Sequence, residues 1–198
     1  MAFIELHRDD NPSEATELLE AERVRVGYIP NYSRLFARRP GVYDAWRRLV
    51  GSITQTLDRR RYELVTLAAA RRLRSSYCML AHGTILREEF FDDDAVRRLV
   101  FDHRTAGLDP VDVAVMDFAE KVAGDASAIT DDDVERLRQL GLSDDEVLDV
   151  ALAAAARCFF SKTLDALGVE PDAVYSGLEP ELRDALVVGR PIVDAGSR

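Results

Sequence analysis

The chain of 198 residues is 47% hydrophobic and 31% charged, which suits one fairly large folded domain with a substantial core. Its formal net charge of −10 at pH 7 has the opposite sign to what nucleic acid or an anionic membrane surface attracts, so neither is an expected partner. Two cysteines make no disulfide framework, and nothing near residue 1 resembles a secretory signal. The longest apolar run, 147–160, is broken by Asp149 and Arg157 and is too short to span a bilayer. The sequence therefore predicts a soluble, cytoplasmic protein.

Helix start and stop signals recur along the whole chain, whereas the alternating pattern of a half-buried strand is missing. Capping residues are predicted at six helix starts: Ser13, Asn31, Asp58, Asp92, Thr130 and Ser143. Ser143 together with Glu146 matches a capping box. The predicted helices cover about 13–24, 32–38, 40–53, 58–72, 75–90, 110–122, 130–141, 143–167 and 172–188, and a further one starts near 92. We expect an all-α fold.

The predicted helix that begins at Pro40 carries an apolar stripe. Its members recur at helical spacing: Val42, Ala45, Trp46, Leu49 and Ile53. Such a stripe is typical of a face that packs into the core, and we expect it to be buried.

Residue types with reactive chemistry concentrate in residues 59–89. Cys78 and His82 are four positions apart, so they share one helix face with roughly 5–6 Å between their Cβ atoms. The hydroxyls of Ser75 and Ser76 are expected to begin this helix, so that Cys78 falls in the first turn, where the helix dipole favours a thiolate. Glu63, on the preceding antiparallel helix, is placed to hold His82 in one tautomer or to pass it a proton. The three groups form a potential nucleophile, base and orienting acid.

Simpler interpretations of the same spacing remain open. A cysteine and a histidine four positions apart also fit a packed, inert thiol and a hydrogen-bonded histidine, and a metal site made from Cys78, His82 and Glu63 lacks a further ligand. His7 and His103 are interpreted as surface residues. Cys158 lies in an apolar helix beside two phenylalanines and is interpreted as an unreactive thiol. No metal and no cofactor is predicted.

Residues 63–70 and 77–82 resemble the alkylhydroperoxidase AhpD-like, carboxymuconolactone decarboxylase-like superfamily. The motif of that family is a glutamate followed, twelve residues later, by Cys-x-x-Cys-x-x-x-His, and Glu63, Ser75, Cys78 and His82 occupy this spacing without a gap. Segments 27–31, 39–40, 142–146 and 166–172 are similar to its uncharacterised peroxidase-related branch. The resemblance covers about residues 24–175, which leaves an N-terminal extension with a helix over 1–23 and a C-terminal helix and tail over 176–198.

The resemblance implies a helical bundle built around an antiparallel helix pair, with Glu63 on one helix and Cys78 and His82 on the other. It implies thiol-dependent reduction of hydroperoxides, in which Cys78 reacts with the peroxide, His82 is its proton partner and Glu63 starts the proton relay. Ser75 stands where peroxidase members of the family have the resolving cysteine, so an internal disulfide cycle between these two positions is impossible. Two outcomes follow: a one-cysteine peroxidase that uses an external thiol reductant, which is the expected one, or a site that has lost or changed its activity. Ser75 and Tyr77 are secondary site candidates.

Two other functions are compatible with the sequence. One is a decarboxylase or lactone-modifying enzyme that uses His82 as acid and base, and the other is a non-catalytic, redox-sensing helical module. The resemblance also implies a homo-oligomer, as a dimer, trimer or hexamer.

Overall fold

The computed structural model describes residues 2–7 and 14–193, and within these ranges every regular element is helical. The predicted all-α fold is thus confirmed. Ten α-helices follow one another along the described chain: α1 (Glu14–Val26), α2 (Asn31–Phe36), α3 (Pro40–Ile53), α4 (Arg59–Leu73), α5 (Ser76–Glu89), α6 (Asp93–Asp102), α7 (Pro110–Asp125), α8 (Asp131–Gln139), α9 (Asp144–Ala166) and α10 (Pro180–Leu186). Two 3₁₀ turns, Ala126–Ala128 and Ala173–Gly177, lie between them.

Helix α4 forms the centre of the bundle. It packs against α5, α7 and α9, and its segment 62–70 is buried throughout. A helix that is apolar around its circumference is stable only where neighbours cover every side, so the composition of α4 explains its central position. Asp58 caps α4 as predicted, with its carboxylate accepting the backbone N–H of Arg61 at 2.9 Å. Glu63 is therefore carried by the most enclosed helix.

The connection between α4 and α5 consists of Arg74 and Ser75. Arg74 adopts a left-handed conformation with φ of 57°, which costs a non-glycine residue roughly 1 kcal/mol. The backbone N–H of Ser75 donates to the carbonyl of Ala70 at 3.0 Å and closes the end of α4. This short connection makes α4 and α5 the predicted helix pair.

The predicted caps of α6, α8 and α9 are confirmed. Asp92 accepts the backbone N–H of Ala95 at 2.7 Å, and both Thr130 and Ser143 form complete capping boxes. Each of these contacts is made between residues three positions apart, so the local sequence is sufficient to define it.

The predicted buried stripe of α3 is wrong for most of its members. Val42 and Leu49 are 46% and 48% exposed, and Ala45 is exposed as well. The inward face carries a different set: Tyr43, Trp46, Val50 and Ile53. The ring of Trp46 stacks on Phe160 of α9 with centroids 4.4 Å apart. The large aromatic rings decide which face is buried because they contribute more apolar area than Val42 or Leu49.

Three further local predictions need correction or fall outside the description. Asn31 does not cap α2; it is the first residue of that helix, and its side chain donates to the carbonyl of Glu170 at 3.1 Å. The predicted tail helix 172–188 is interrupted, because Pro180 starts the short helix α10 after a 3₁₀ turn. The predicted cap Ser13 lies outside the described residues.

The C-terminal segment crosses the start of α5. Leu186 packs so closely over Gly83 that a Cβ at position 83 would meet its side chain at 2.5 Å. The backbone N–H of Gly189 donates to Ser76 Oγ at 2.7 Å, and a Cβ at position 189 would lie 2.1 Å from the carbonyl oxygen of Arg74. Only glycine permits this approach.

Among the described residues, no helix combines the length and apolar composition needed to cross a membrane.

Candidate functional site

Glu63 and His82 are hydrogen-bonded to each other inside the bundle. Glu63 Oε2 lies 2.5 Å from His82 Nδ1, and both side chains are almost completely buried. Burial lowers the pKa of His82, the positive charge of Arg157 lowers it further, and Glu63 opposes both effects. The lowered pKa favours the neutral imidazole, which is the form that accepts a proton.

Cys78 lies in the first turn of α5 and is 1% exposed. Among the described residues its sulfur is hydrogen-bonded to two side chains of α9: Ser161 Oγ donates to Sγ at 3.0 Å and Arg157 Nη1 donates to it at 3.5 Å. No hydrogen bond joins Cys78 to His82 in this part of the chain. The predicted nucleophile and the predicted base therefore lie on the same helix, while the donors to the sulfur come from another.

The predicted role of the two serines at the start of α5 is wrong. Ser75 is the residue before the helix, but its side chain makes no capping hydrogen bond. The hydroxyl of Ser76 accepts the backbone N–H of Gly189 instead. Ser75 is buried beside Asp165, whose pKa is raised by burial while Ser75 and Arg190 oppose the rise. Ser75 thus faces a carboxyl group of α9.

Arg157, which the sequence interpretation missed, is the most unusual residue of this site. It is 4% exposed on α9, and its Nη2 donates to the hydroxyl of Tyr62 at 3.4 Å. Its charged group also lies over the ring of Phe160, 5.5 Å from the centroid. The signal was present in the sequence: Arg157, Ser161 and Asp165 are polar residues at successive helical turns of an otherwise apolar helix.

Tyr62 connects the two halves of the site. Its ring meets that of His82 edge-on with centroids 6.3 Å apart, and its hydroxyl accepts from Arg157. Burial raises the pKa of Tyr62 and Glu63 raises it too, against the lowering effect of Arg157. Tyr62 therefore remains a neutral phenol between the imidazole and the guanidinium.

Tyr77, the other secondary site candidate, makes contacts that link elements of the fold. Its hydroxyl donates to the carboxylate of Asp172, which also accepts the backbone N–H of Asn31 at 2.8 Å and the hydroxyl of Tyr28 at 3.3 Å. Burial raises the pKa of Tyr77 well above its ordinary value. These contacts tie α5 to the loop before α2 and to the segment after α9.

His103 is not the surface residue that was predicted: it is fully buried. Its Nδ1 accepts from Arg71 Nη2 at 2.9 Å, and its Nε2 lies 2.9 Å from the carboxylate of Asp117. The ligand atoms of His103, Asp117 and Glu120 lie within 4.8 Å of one another, close enough to hold a metal ion. Both ring nitrogens are already hydrogen-bonded and Arg71 pairs with Glu120, so this group is best described as an ion-pair network.

The fold is shared with solved peroxidase-related proteins. An uncharacterised peroxidase-related protein from Silicibacter sp. superposes with a TM-score of 0.80 at 24% identity, covering 89% of this chain and 94% of that one. A peroxidase-related protein from Ralstonia eutropha, described as an alkylhydroperoxidase AhpD core, superposes with a TM-score of 0.78 at 21% identity, covering 88% and 94%. The debrominase Bmp8 superposes with a TM-score of 0.74 at 15% identity, covering 91% and 95%. The chain thus has the AhpD-like helical fold.

Residues 40–121 match the model of the Carboxymuconolactone decarboxylase family. This segment contains Glu63, Cys78 and His82, so the resemblance predicted from their spacing is confirmed, and the chain is carboxymuconolactone decarboxylase-like across these residues. No curated protein sequence matches the chain.

Proposed function

We propose that this protein reduces hydroperoxides through Cys78 and uses an external thiol as reductant. One observation carries the proposal: the buried sulfur accepts hydrogen bonds from Ser161 and Arg157, while a neutral imidazole bonded to Glu63 lies one turn away on the same helix. Donors at the sulfur favour the thiolate, which is the nucleophilic form. A neighbouring neutral base supplies the place where the thiol proton goes.

The reaction balances within the site. The Glu63–His82 pair takes the proton of the Cys78 thiol through a water or through the bound hydroperoxide. The thiolate attacks the terminal oxygen, the S–O bond forms, the O–O bond breaks, and the departing alkoxide takes the proton back from the pair. Cys78 becomes a sulfenic acid and the hydroperoxide becomes an alcohol.

Regeneration requires thiols from outside the site. The first external thiol condenses with the sulfenic acid to a mixed disulfide and water, and a second releases Cys78 as a thiol. Ser75 has no sulfur to form a disulfide. Cys158 is free and half-buried on α9, and burial raises the pKa of its thiol, which disfavours attack by it.

Peroxide consumption with a dithiol as reductant tests the proposal. The Cys78→Ser variant should lose turnover entirely, whereas Cys158→Ser, the matched control with the same atomic change, should keep it. Trapping of the sulfenic acid followed by intact mass should give one adduct in the control and none in Cys78→Ser. Equal turnover in the two variants would refute the peroxidase. A single adduct without turnover would also refute it and would favour the redox-sensing module.

A second candidate is reductive removal of a halogen from an aromatic ring. The debrominase with the same fold was solved as a cysteine-to-alanine variant in complex with 2,3,4-tribromopyrrole. In the present chain Arg157 contacts the sulfur, and its guanidinium lies over the ring of Phe160. The ring of Phe160 also stacks on Trp46, so an aromatic surface borders the site. Bromide release from a brominated pyrrole in the presence of thiol, dependent on Cys78 and exceeding peroxide turnover, would favour this candidate.

A further inference from the structure

The buried guanidinium of Arg157 has no carboxylate partner. Within residues 2–7 and 14–193 no acidic side chain is paired with it, and its charged nitrogens contact only a thiol and a phenol. Its Nε makes no hydrogen bond in this part of the chain. Arginine does not give up its proton in proteins, and an uncompensated buried charge is costly, so a compensating negative charge is required.

Of the ionisable groups in the described ranges, two are hydrogen-bonded to the guanidinium: Tyr62 and Cys78. Tyr62 is a poor anion because burial and the nearby Glu63 both disfavour its ionised form. A thiol ionises more readily than a phenol, and a thiolate is the larger and softer anion. Glu63 is already hydrogen-bonded to His82 and does not contact the guanidinium in the described ranges. The sulfur is therefore the remaining candidate for the counter-charge.

We propose that Arg157 and Ser161 together hold Cys78 as a buried thiolate, with Arg157 balancing its charge and Ser161 donating a hydrogen bond to it. The stabilisation of the thiolate, which the sequence spacing assigned to His82, is thus assigned to two residues of α9. The imidazole then serves only as the proton acceptor and donor, in partnership with Glu63. The inference rests on the proposed function for the identity of the nucleophile, and it goes beyond that function by adding two residues outside the Glu63–Cys78–His82 motif.

The arrangement has a physical advantage over a thiolate paired with His82. An imidazolium stabilises a thiolate only while it keeps its proton, so the same group cannot serve both as a permanent counter-charge and as a group that accepts and donates protons. A guanidinium keeps its charge throughout. The positive charge of Arg157 also lowers the pKa of His82, which keeps the imidazole free to accept the thiol proton.

Thiolate absorbance in the ultraviolet tests the proposal without a reagent having to reach the buried sulfur. The pH midpoint is taken from the difference between Cys158→Ser and the double variant Cys78→Ser/Cys158→Ser. In the Cys158→Ser background, Arg157→Met should raise this midpoint by roughly one to three pH units. Arg157→Lys, which keeps a charge, should raise it less, and Ser161→Ala should raise it by roughly half a unit to one unit.

The control is Arg60→Met, which removes an arginine that pairs with Asp112 at 2.7 Å and does not touch the sulfur. Its midpoint should equal that of the parent. An unchanged midpoint in folded Arg157→Met, or an equal shift in Arg60→Met, overturns the inference. If Arg157→Met does not fold, Arg157→Lys and Ser161→Ala decide the question by the same criterion.

The outcome is separable from that of the proposed function. A midpoint that depends on Arg157 in a protein that consumes no peroxide would support the thiolate pair and refute the peroxidase. Peroxide turnover that depends on Cys78, together with a midpoint that does not change in the Arg157 and Ser161 variants, would support the peroxidase and refute the thiolate pair.

Discussion

Two buried centres of this molecule contain the same kinds of residue but differ in how their charges are balanced. In one, His103 lies between Arg71 and Asp117, while Arg71 pairs with Glu120 and donates to backbone carbonyls of α6. In the other, Arg157 is buried against a thiol and a phenol, with no carboxylate in contact in the described chain. Both centres also contain a histidine bonded to a carboxylate.

The difference separates a structural network from a potential reaction site. In the His103 centre both ring nitrogens and every cation have a partner. Burial raises the pKa of Asp117, but His103 and Arg104 more than offset it, so the carboxylate stays ionised. In the Cys78 centre His82 is bonded through Nδ1 alone within the described residues, and Arg157 has a hydrogen-bonding position unused. Incomplete pairing in a buried place costs stability, and such a cost is typical of functional sites.

Arg71→Met should give the largest effect on stability. It removes the cation that is hydrogen-bonded to Glu120, His103 and two carbonyls. Because this ion pair is partly buried, its loss should cost about 2 kcal/mol, between the costs for exposed and fully buried pairs. Urea unfolding followed by circular dichroism measures the loss. A change below about 1 kcal/mol would show that the His103 centre does not act as a network.

Arg157→Met should be much less destabilising, by less than about 1 kcal/mol, although its arginine is the more deeply buried of the two. The substitution removes a charge that has no carboxylate to leave behind, and the sulfur can take up a proton in compensation. The same unfolding experiment compares the two variants directly. A loss as large as that of Arg71→Met would show that Arg157 stabilises the fold as much as Arg71 does, and would contradict the distinction between the two centres.

The smallest effect concerns the titration of His82. Burial and Arg157 lower its pKa, so its ring resonances should titrate below 6.5, the ordinary value. The unfolded chain binds this proton first as the pH falls, so His82 reduces the free energy of unfolding from about pH 6.5 downward. Heteronuclear NMR, with His82→Gln for assignment, should show the midpoint rising in Arg157→Met. A midpoint at or above 6.5 in the parent would contradict the assignment of a neutral base.

Features set by neighbouring residues were predictable from the sequence. Asp58, Asp92, Thr130 and Ser143 cap their helices because each contact spans three positions. The approach of Glu63 to His82 follows from two adjacent antiparallel helices joined by a two-residue connection. These parts of the fold require no knowledge of distant chain segments.

Features set by distant segments were not predictable in this way. The orientation of α3 depends on rings of α9, and the burial of His103 depends on Arg71 from another helix. The contact between Cys78 and Arg157 joins residues 79 positions apart. Helical periodicity identifies which residues share a face, but it does not say which of two apolar faces is buried or what lies opposite a polar residue.

The hydrogen bond from Gly189 to Ser76 links the first residue of α5 to a residue 113 positions later. During synthesis, more than half of the chain must follow Ser76 before this hydrogen bond can form at the start of the helix that carries Cys78 and His82. A nascent chain stopped before Gly189 would have every residue of the candidate site and still lack the contact that anchors α5. Shortening the protein from its C-terminal side is thus expected to loosen the sulfur before it loosens the bundle.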